Sequence, residues 1–146
     1  MRVLIVGAKE RDTDEDRRLV AELMDRISAE APYTLFVSMM THTGVGRFVK
    51  DKALQKSGEG RYAHRMIDCS QRIFAKGLAK SELVELYLAR NATPFESSDM
   101  LIYLASEDRR GTCEELLERF QKANRPVLVM RPGDPIPEHI IDRVEV

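Results

Sequence analysis

The chain has 146 residues, of which 43% are hydrophobic and 32% are charged, with a formal net charge of −1. This length and composition predict one compact domain, residues 1–146, and exclude wholesale disorder. The balanced charge argues against nucleic acid as a partner, because a general electrostatic hold on nucleic acid needs a basic face. No apolar run approaches the roughly 20 residues of a membrane-spanning helix or has the form of a signal segment, so we expect a cytoplasmic protein with no membrane partner.

The residues that commonly bind metals or form disulfides are few and scattered. The two cysteines, Cys69 and Cys113, are too few for a disulfide framework, and no metal-ligand spacing separates them. The histidines, His42, His64 and His139, lie far apart along the chain. The sequence therefore predicts no metal site built from local spacing, and we expect no cofactor.

The first third of the chain alternates between strand and helix patterns. Residues 3–6 form a short, wholly apolar run that predicts a buried strand. Thr13 is a suitable N-cap for an amphipathic helix predicted over 14–29, whose first turn is acidic. A second strand is predicted over 33–37, and a second helix near 47–56. This order is typical of the beginning of a Rossmann-like α/β fold.

The middle of the chain is harder to interpret. Residues 62–77 fit either a strand or one face of a helix, and the sequence leaves both open. A helix predicted over 82–91 is apolar around nearly its whole circumference. Such a helix is expected in the core or at a subunit contact, so Tyr87 and Leu88 suggest the face of a homodimer.

The clearest unit is strand, helix, strand near the end of the chain. Residues 100–104 form an apolar run, a helix begins at Thr112, and residues 127–130 form the next apolar run. Short links between them imply parallel neighbouring strands. Together with the first third, this unit predicts a single Rossmann-like, three-layer α/β domain with a mostly parallel central sheet.

Three loops are expected to meet beyond the carboxyl ends of the strands, where open parallel sheets bind ligands. They are residues 7–12, 40–46 and 105–112. Glycines allow close backbone approach to a ligand, and the helices that follow direct free N–H groups at an anion. The candidate phosphate-binding residues are Gly7, Gly44, Gly46, Arg109, Arg110, Gly111 and Thr112, with Arg11 and Arg47 beside the same turns. This layout favours a phosphorylated small molecule as the ligand.

The segment from Gly111 to Glu115 has two interpretations. In the first, Thr112 and Glu115 form a capping box at the start of the helix. In the second, Gly111 and Thr112 surround a phosphate while Glu115 faces a sugar, where a carboxylate stabilises or attacks an oxocarbenium-like centre. The spacing alone leaves both open.

Residues 90–104 and the Gly111-Thr112-x-x-Glu115 motif resemble the SLOG superfamily of Rossmann-like proteins, in particular the "lonely guy" phosphoribohydrolases. The resemblance places Arg90 on the family's catalytic arginine and Glu115 on its glutamate. Asn91 stands where the family has lysine, and Glu107–Arg110 replaces its Pro-Gly-Gly. The resemblance implies hydrolysis of the N-glycosidic bond of a nucleoside 5′-monophosphate, with Glu115 and Arg90 as catalytic residues and arginines taking over phosphate binding.

Two alternatives to this hydrolase remain. Nucleoside deoxyribosyltransferases use a similar motif for base exchange, with the glutamate as nucleophile. Proteins of the SLOG superfamily also serve as ligand sensors, so a non-catalytic nucleotide-binding module is the alternative from a different functional class.

Overall fold

The computed structural model describes residues 1–41, 43–57, 62–67, 79 and 91–141. Within these residues, five strands form one all-parallel sheet in the order β3-β2-β1-β4-β5. The strands are β1 (Arg2–Gly7), β2 (Leu35–Met39), β3 (Ala63–Ile67), β4 (Met100–Leu104) and β5 (Val127–Met130). The helices are α1 (Asp14–Glu30), α2 (Val45–Ser57), α3, of which residues 91–96 are described, and α4 (Cys113–Lys122). The predicted parallel α/β fold is confirmed.

The sheet is covered on both faces by helices. In β1, the side chains of Val3 and Ile5 pack with the apolar faces of α1 and α2. The alternate residues, Leu4 and Val6, pack with α4. Because successive side chains of a strand point to opposite faces, a fully apolar run is what a strand with two covered faces requires. The three-layer arrangement follows from that pattern.

Strand β1 lies at the point where the strand order reverses. After β1 the chain continues to β2 on one side, and it later returns to β4 on the other side of β1. At the carboxyl end of this pair, Gly7 lies opposite Leu104. Ligands in open α/β sheets bind at such a switch point, so the fold itself directs attention to the end of β1.

The predicted start of α1 is confirmed at the level of individual hydrogen bonds. The Thr13 hydroxyl accepts a hydrogen bond from the Asp16 backbone N–H at 3.1 Å, and the Asp16 carboxylate accepts one from the Thr13 N–H at 3.3 Å. This reciprocal pair is a capping box. It satisfies two of the backbone donors that every helix start leaves free.

Several predicted boundaries need correction. Strand β2 begins at Leu35 instead of residue 33, and Tyr33 is 96% exposed. The reason is a turn after α1, in which Thr34 donates hydrogen bonds from both its N–H and its hydroxyl to the Ala31 carbonyl. The ambiguous segment 62–77 contains a strand, β3, in its described part. Helix α3 continues to residue 96, past the predicted end at 91.

Part of the predicted apolar helix lies outside the described residues. Of 82–91, only Asn91 is described, so the suggested dimer face at Tyr87 and Leu88 stays a prediction. After β5, the proline-rich tail has no helix or strand before Ile140 and Ile141, which are both buried. In the described part of the chain, no helix has the length and apolar character needed to cross a membrane.

Candidate functional site

A cavity of about 360 Å³ lies at the carboxyl ends of β1 and β2, and we call it the switch-point cavity. Its volume is within the range of small-molecule sites. Three parts of the chain that are distant in sequence meet there: the β1 loop, the start of α2 and the start of α4. Its lining residues include Gly7, Ala8, Lys9, Met39, Thr41, Thr43, Gly44, Val45, Gly46, Asn91, Thr112 and Cys113.

The N-terminus of α2 forms one wall of the switch-point cavity. Gly44 has a φ of +79°, a conformation that L side chains rarely adopt, and its carbonyl accepts a hydrogen bond from the Phe48 N–H at 3.1 Å. The Gly44 N–H donates to the Asp12 carboxylate at 2.9 Å, which joins the first and second predicted loops. The N–H groups of the following helical turn have no intrahelical acceptor.

Gly7 and Gly46 allow close packing between protein segments. A Cβ atom at Gly7 would lie 2.2 Å from a methyl carbon of Val45, and one at Gly46 would lie 2.4 Å from the Met39 carbonyl oxygen. These glycines therefore bring α2 against the ends of β1 and β2. From the sequence, we expected these glycines to allow the close approach of a ligand. In the structure, the atoms that a Cβ would collide with belong to the protein itself.

The N-terminus of α4 forms the opposite wall. Gly111 precedes it with a φ of +112°, and Thr112 and Cys113 line the cavity. Thr112 occupies the N-cap position but makes no side-chain capping hydrogen bond. The capping-box interpretation of Thr112 and Glu115, one of the two that the sequence left open, is therefore excluded. The reason is that the Thr112 backbone is already helical, with φ −69° and ψ −22°, instead of extended as in a typical N-cap.

Glu115 is held by one partner that is distant in sequence, Asn91, and by one partner on its own helix, Arg119. Its Oε2 atom accepts a hydrogen bond from Asn91 Nδ2 at 2.7 Å, and its Oε1 atom accepts one from Arg119 Nε at 2.9 Å. Glu115 is partly exposed, yet it is not among the described residues that line the switch-point cavity. Asn91 does line the cavity, and its amide donates a hydrogen bond to the Glu115 carboxylate, so Asn91 connects the two.

The candidate arginines lie apart from the switch-point cavity. Arg109 donates from Nη2 to the Glu114 carboxylate at 3.0 Å, and Arg110 forms an ion pair with Asp108. Neither residue belongs to the described lining of the cavity. Arg90 lies outside the described residues. Phosphate binding by Arg109 and Arg110 and a catalytic role of Arg90 stay predictions.

A buried polar cluster beside the start of α4 was not found from sequence. Three atoms in it are buried without a hydrogen-bond partner within the described residues: the Tyr103 hydroxyl, Arg109 Nε and Glu114 Oε2. Burial and the neighbouring Glu114 carboxylate raise the pKa of Tyr103 above its ordinary value. In sequence, Tyr103 reads as one more apolar strand residue, and only its hydroxyl distinguishes it from a core phenylalanine.

A second cavity, of about 810 Å³, lies on the other side of the carboxyl edge, next to β4, β5 and the start of α1. We call it the acidic cavity. Its lining includes six carboxylate side chains, from Glu10, Glu15, Asp16, Glu107, Asp108 and Asp134, together with Arg11. Ser106, Glu107 and Asp108 belong to the third predicted loop, so that loop divides between the two cavities. The carboxylates of the acidic cavity disfavour the binding of a phosphate there, since like charges repel.

Asp99 lies at the opposite end of the sheet from both cavities. Its carboxylate accepts hydrogen bonds from the Arg2 backbone N–H at 2.8 Å and from Arg2 Nη2 at 3.0 Å. These bonds lower the pKa of the Asp99 carboxyl and join the beginnings of β1 and β4. Asp99 therefore connects two strands at the amino edge of the sheet, away from both cavities.

Among the described residues, no group of three or more histidine, cysteine, aspartate or glutamate side chains has an arrangement that would hold a metal ion.

Comparison with known proteins adds no family. No family model matches the chain, and no curated protein matches it. The site is therefore interpreted from its own geometry.

Proposed function

We propose that this protein binds a nucleoside 5′-monophosphate in the switch-point cavity. The observation that carries the proposal is the meeting of two helix N-termini, those of α2 and α4, in one cavity of about 360 Å³. Free backbone N–H groups and the helix dipole make such positions favourable for a phosphate. Among the described residues that line the cavity, Lys9 is the single charged one, and its charge is positive.

We propose further that the phosphate lies between the starts of α2 and α4 and the sugar lies toward Asn91. The Thr41, Thr43 and Thr112 side chains supply neutral polar groups around that position. A pocket with an apolar wall and a few polar groups suits a ligand that has a charged end and a flat, weakly polar base. Met39 and Val45 contribute to that wall.

The reaction that the SLOG resemblance favours is hydrolysis of the N-glycosidic bond. Water adds to the anomeric carbon, the bond from that carbon to the base nitrogen breaks, and the base leaves after taking up a proton. Positive charge develops on the sugar in the transition state, where a nearby carboxylate lowers its free energy. Glu115 is the carboxylate that we propose for this role, and the Asn91 and Arg119 hydrogen bonds hold it in a fixed orientation.

The test is release of free base from a panel of nucleoside monophosphates, measured by chromatography. We expect Glu115→Gln to reduce the rate on the best substrate by about 100- to 1,000-fold, the range typical for loss of electrostatic stabilisation. Glu118→Gln is the matched control, because Glu118 lies on the same helix, is exposed and pairs with Lys122. Full activity of Glu115→Gln would contradict the proposed mechanism.

A non-catalytic nucleotide-binding module is the second candidate function. One observation favours it: both oxygens of the Glu115 carboxylate already accept hydrogen bonds, from Asn91 and Arg119. A carboxylate with committed oxygens has less freedom to follow charge that develops on a sugar. Binding of a nucleoside monophosphate with no release of base over long incubation would select this candidate and leave the binding proposal intact.

We also propose that the protein acts in the cytoplasm. The described cysteine, Cys113, forms no disulfide within the described residues. A thiol that lines the switch-point cavity and is partly exposed suits a reducing compartment. Localisation of the tagged protein by microscopy or fractionation tests this expectation, and recovery outside the cytoplasm would contradict it.

A further inference from the structure

Asn91 is a polar residue in an otherwise closed environment. It is the first described residue of α3, only 3% of its surface is exposed, and it lines the switch-point cavity. A buried amide has two N–H donors and one carbonyl oxygen, and each is expected to find a partner. The hydrogen-bond partners of the Asn91 amide therefore show which of its polar groups remains available to a ligand.

The orientation of the Asn91 amide is determined by its surroundings. Nδ2 donates to Glu115 Oε2 at 2.7 Å and to the Thr112 carbonyl oxygen at 3.2 Å. Both of these atoms are acceptors. A flipped amide would place Oδ1 against a carboxylate and a carbonyl, and two lone-pair repulsions would replace two hydrogen bonds. The NH₂ group is thus committed to the protein.

Within the described part of the chain, no hydrogen bond to the Oδ1 atom exists. The carbonyl oxygen is therefore the polar group of this amide that the described residues leave unused, although the residue as a whole is almost closed to solvent. The switch-point cavity is the open space next to Asn91.

We propose that Asn91 Oδ1 accepts a hydrogen bond from a sugar hydroxyl of the ligand, so that this residue determines specificity for the sugar. The proposal rests on the proposed nucleotide-binding function and deepens it. An acceptor that faces the cavity selects a donor on the ligand. Since the same amide holds Glu115, the carboxylate proposed for the anomeric carbon, the donor closest to it is a ribose hydroxyl rather than a group on the base.

The experiment measures the dissociation constants of sugar analogues by calorimetry. The probes are adenosine, guanosine, cytidine and uridine 5′-monophosphates, followed by the 2′-deoxy and 3′-deoxy forms of the tightest binder. We expect one of the two deoxy forms to bind about tenfold more weakly, the change expected for loss of one hydrogen bond. The fluoro analogue at the same carbon accepts but does not donate, so we expect it to bind as weakly as the deoxy form.

Variants then assign this preference to Asn91. Asn91→Leu is similar in size and has no acceptor, so we expect it to bind the parent nucleotide and its deoxy form equally well. Ser98→Ala is the matched control. Ser98 is buried just after the end of α3, its hydroxyl has no partner among the described residues, and it does not line the cavity. This control is expected to keep the preference of the unmodified protein.

The possible failures are distinguishable. If none of the four nucleotides binds, the proposed function and the role of Asn91 are both overturned. If nucleotides bind but the fluoro analogue binds as tightly as the parent, or Asn91→Leu keeps the full preference, only the role of Asn91 is overturned. The fluoro comparison uses the unmodified protein, so it decides the matter even if Asn91→Leu does not fold.

Discussion

The carboxyl edge of the sheet carries two cavities of opposite character. The acidic cavity has a volume of about 810 Å³, and its described lining includes six carboxylate residues and one arginine. The switch-point cavity has a volume of about 360 Å³, and Lys9 is the single charged residue in its described lining. The larger cavity is thus the poorer site for a phosphate. Charge and the direction of helix N-termini, more than volume, determine which of the two suits an anionic ligand.

Two basic residues of one short loop belong to different cavities. Lys9 is exposed and lines the switch-point cavity. Arg11 is 4% exposed, pairs with Asp16 at 2.8 Å, and donates from Nη1 to the carbonyls of Ala105 and Met130, both at 2.9 Å. Lys9 is therefore available to a ligand, whereas Arg11 holds strands β4 and β5 to the start of α1.

The largest expected effect is loss of stability on replacing Arg11. Arg11→Met leaves the buried Asp16 carboxylate without its cation and two carbonyls without their donor, so we expect a loss of about 3–5 kcal/mol in the free energy of unfolding. Urea denaturation measures it. Lys9→Met is the matched control, with an expected change within about 0.5 kcal/mol because Lys9 is exposed. Equal stability of the two variants would contradict this division of roles.

The next effect in size concerns ligand affinity. Lys9→Glu reverses a positive charge that lines the switch-point cavity, so we expect the affinity for a nucleoside monophosphate to fall about tenfold at low salt, and less at high salt. Glu107→Gln in the acidic cavity is the control and should leave the affinity unchanged. Calorimetric titration compares the two variants. The assignment of the phosphate to the smaller cavity fails if Glu107→Gln, and not Lys9→Glu, changes the affinity.

The smallest expected effect is a dependence of stability on pH, which we expect from His64 of β3. Burial, together with the nearby Lys50 of α2, lowers the pKa of His64, whose Nε2 lies 2.7 Å from the Ser38 hydroxyl. The unfolded chain therefore binds this proton at higher pH than the folded chain does. The contribution of His64 to stability is fully present above about pH 6.5, the ordinary pKa of histidine, and it decreases as the pH falls below that value. Chemical denaturation at several pH values measures the slope.

The control for this pH dependence is His64→Gln, which keeps a hydrogen-bonding side chain beside Ser38 but does not titrate in this range. We expect the variant to have a flatter stability profile between pH 5 and 7 than the unmodified protein. An unchanged slope would mean that other groups produce the pH dependence.

The fold was largely predictable because its signals are local. The apolar run at residues 100–104 predicted β4 with its observed bounds, and Thr13 with the acidic turn after it predicted the N-cap of α1. The start of β2 was wrong by two residues. A turn through Ala31 and Thr34, which depends on side-chain hydrogen bonding, displaced it.

The site was less predictable because its decisive contacts are long-range. The spacing of Thr112 and Glu115 left open a capping box or a glutamate that faces a ligand, whereas in the structure Glu115 binds Asn91, 24 residues away. In the sequence, Asn91 was only a departure from the family's lysine. Glycines posed a different difficulty. Gly7 and Gly46 give the same sequence signal whether a ligand or another protein segment approaches them. Here Val45 of α2 approaches Gly7, and the end of β2 approaches Gly46.

The most direct measurement is a crystal structure of the protein soaked or co-crystallised with the nucleoside monophosphate that binds most tightly. We predict density for the phosphate between the starts of α2 and α4, within hydrogen-bonding distance of their backbone N–H groups, and the sugar beside Asn91. Density in the acidic cavity, with the switch-point cavity empty at saturating ligand, would contradict the account.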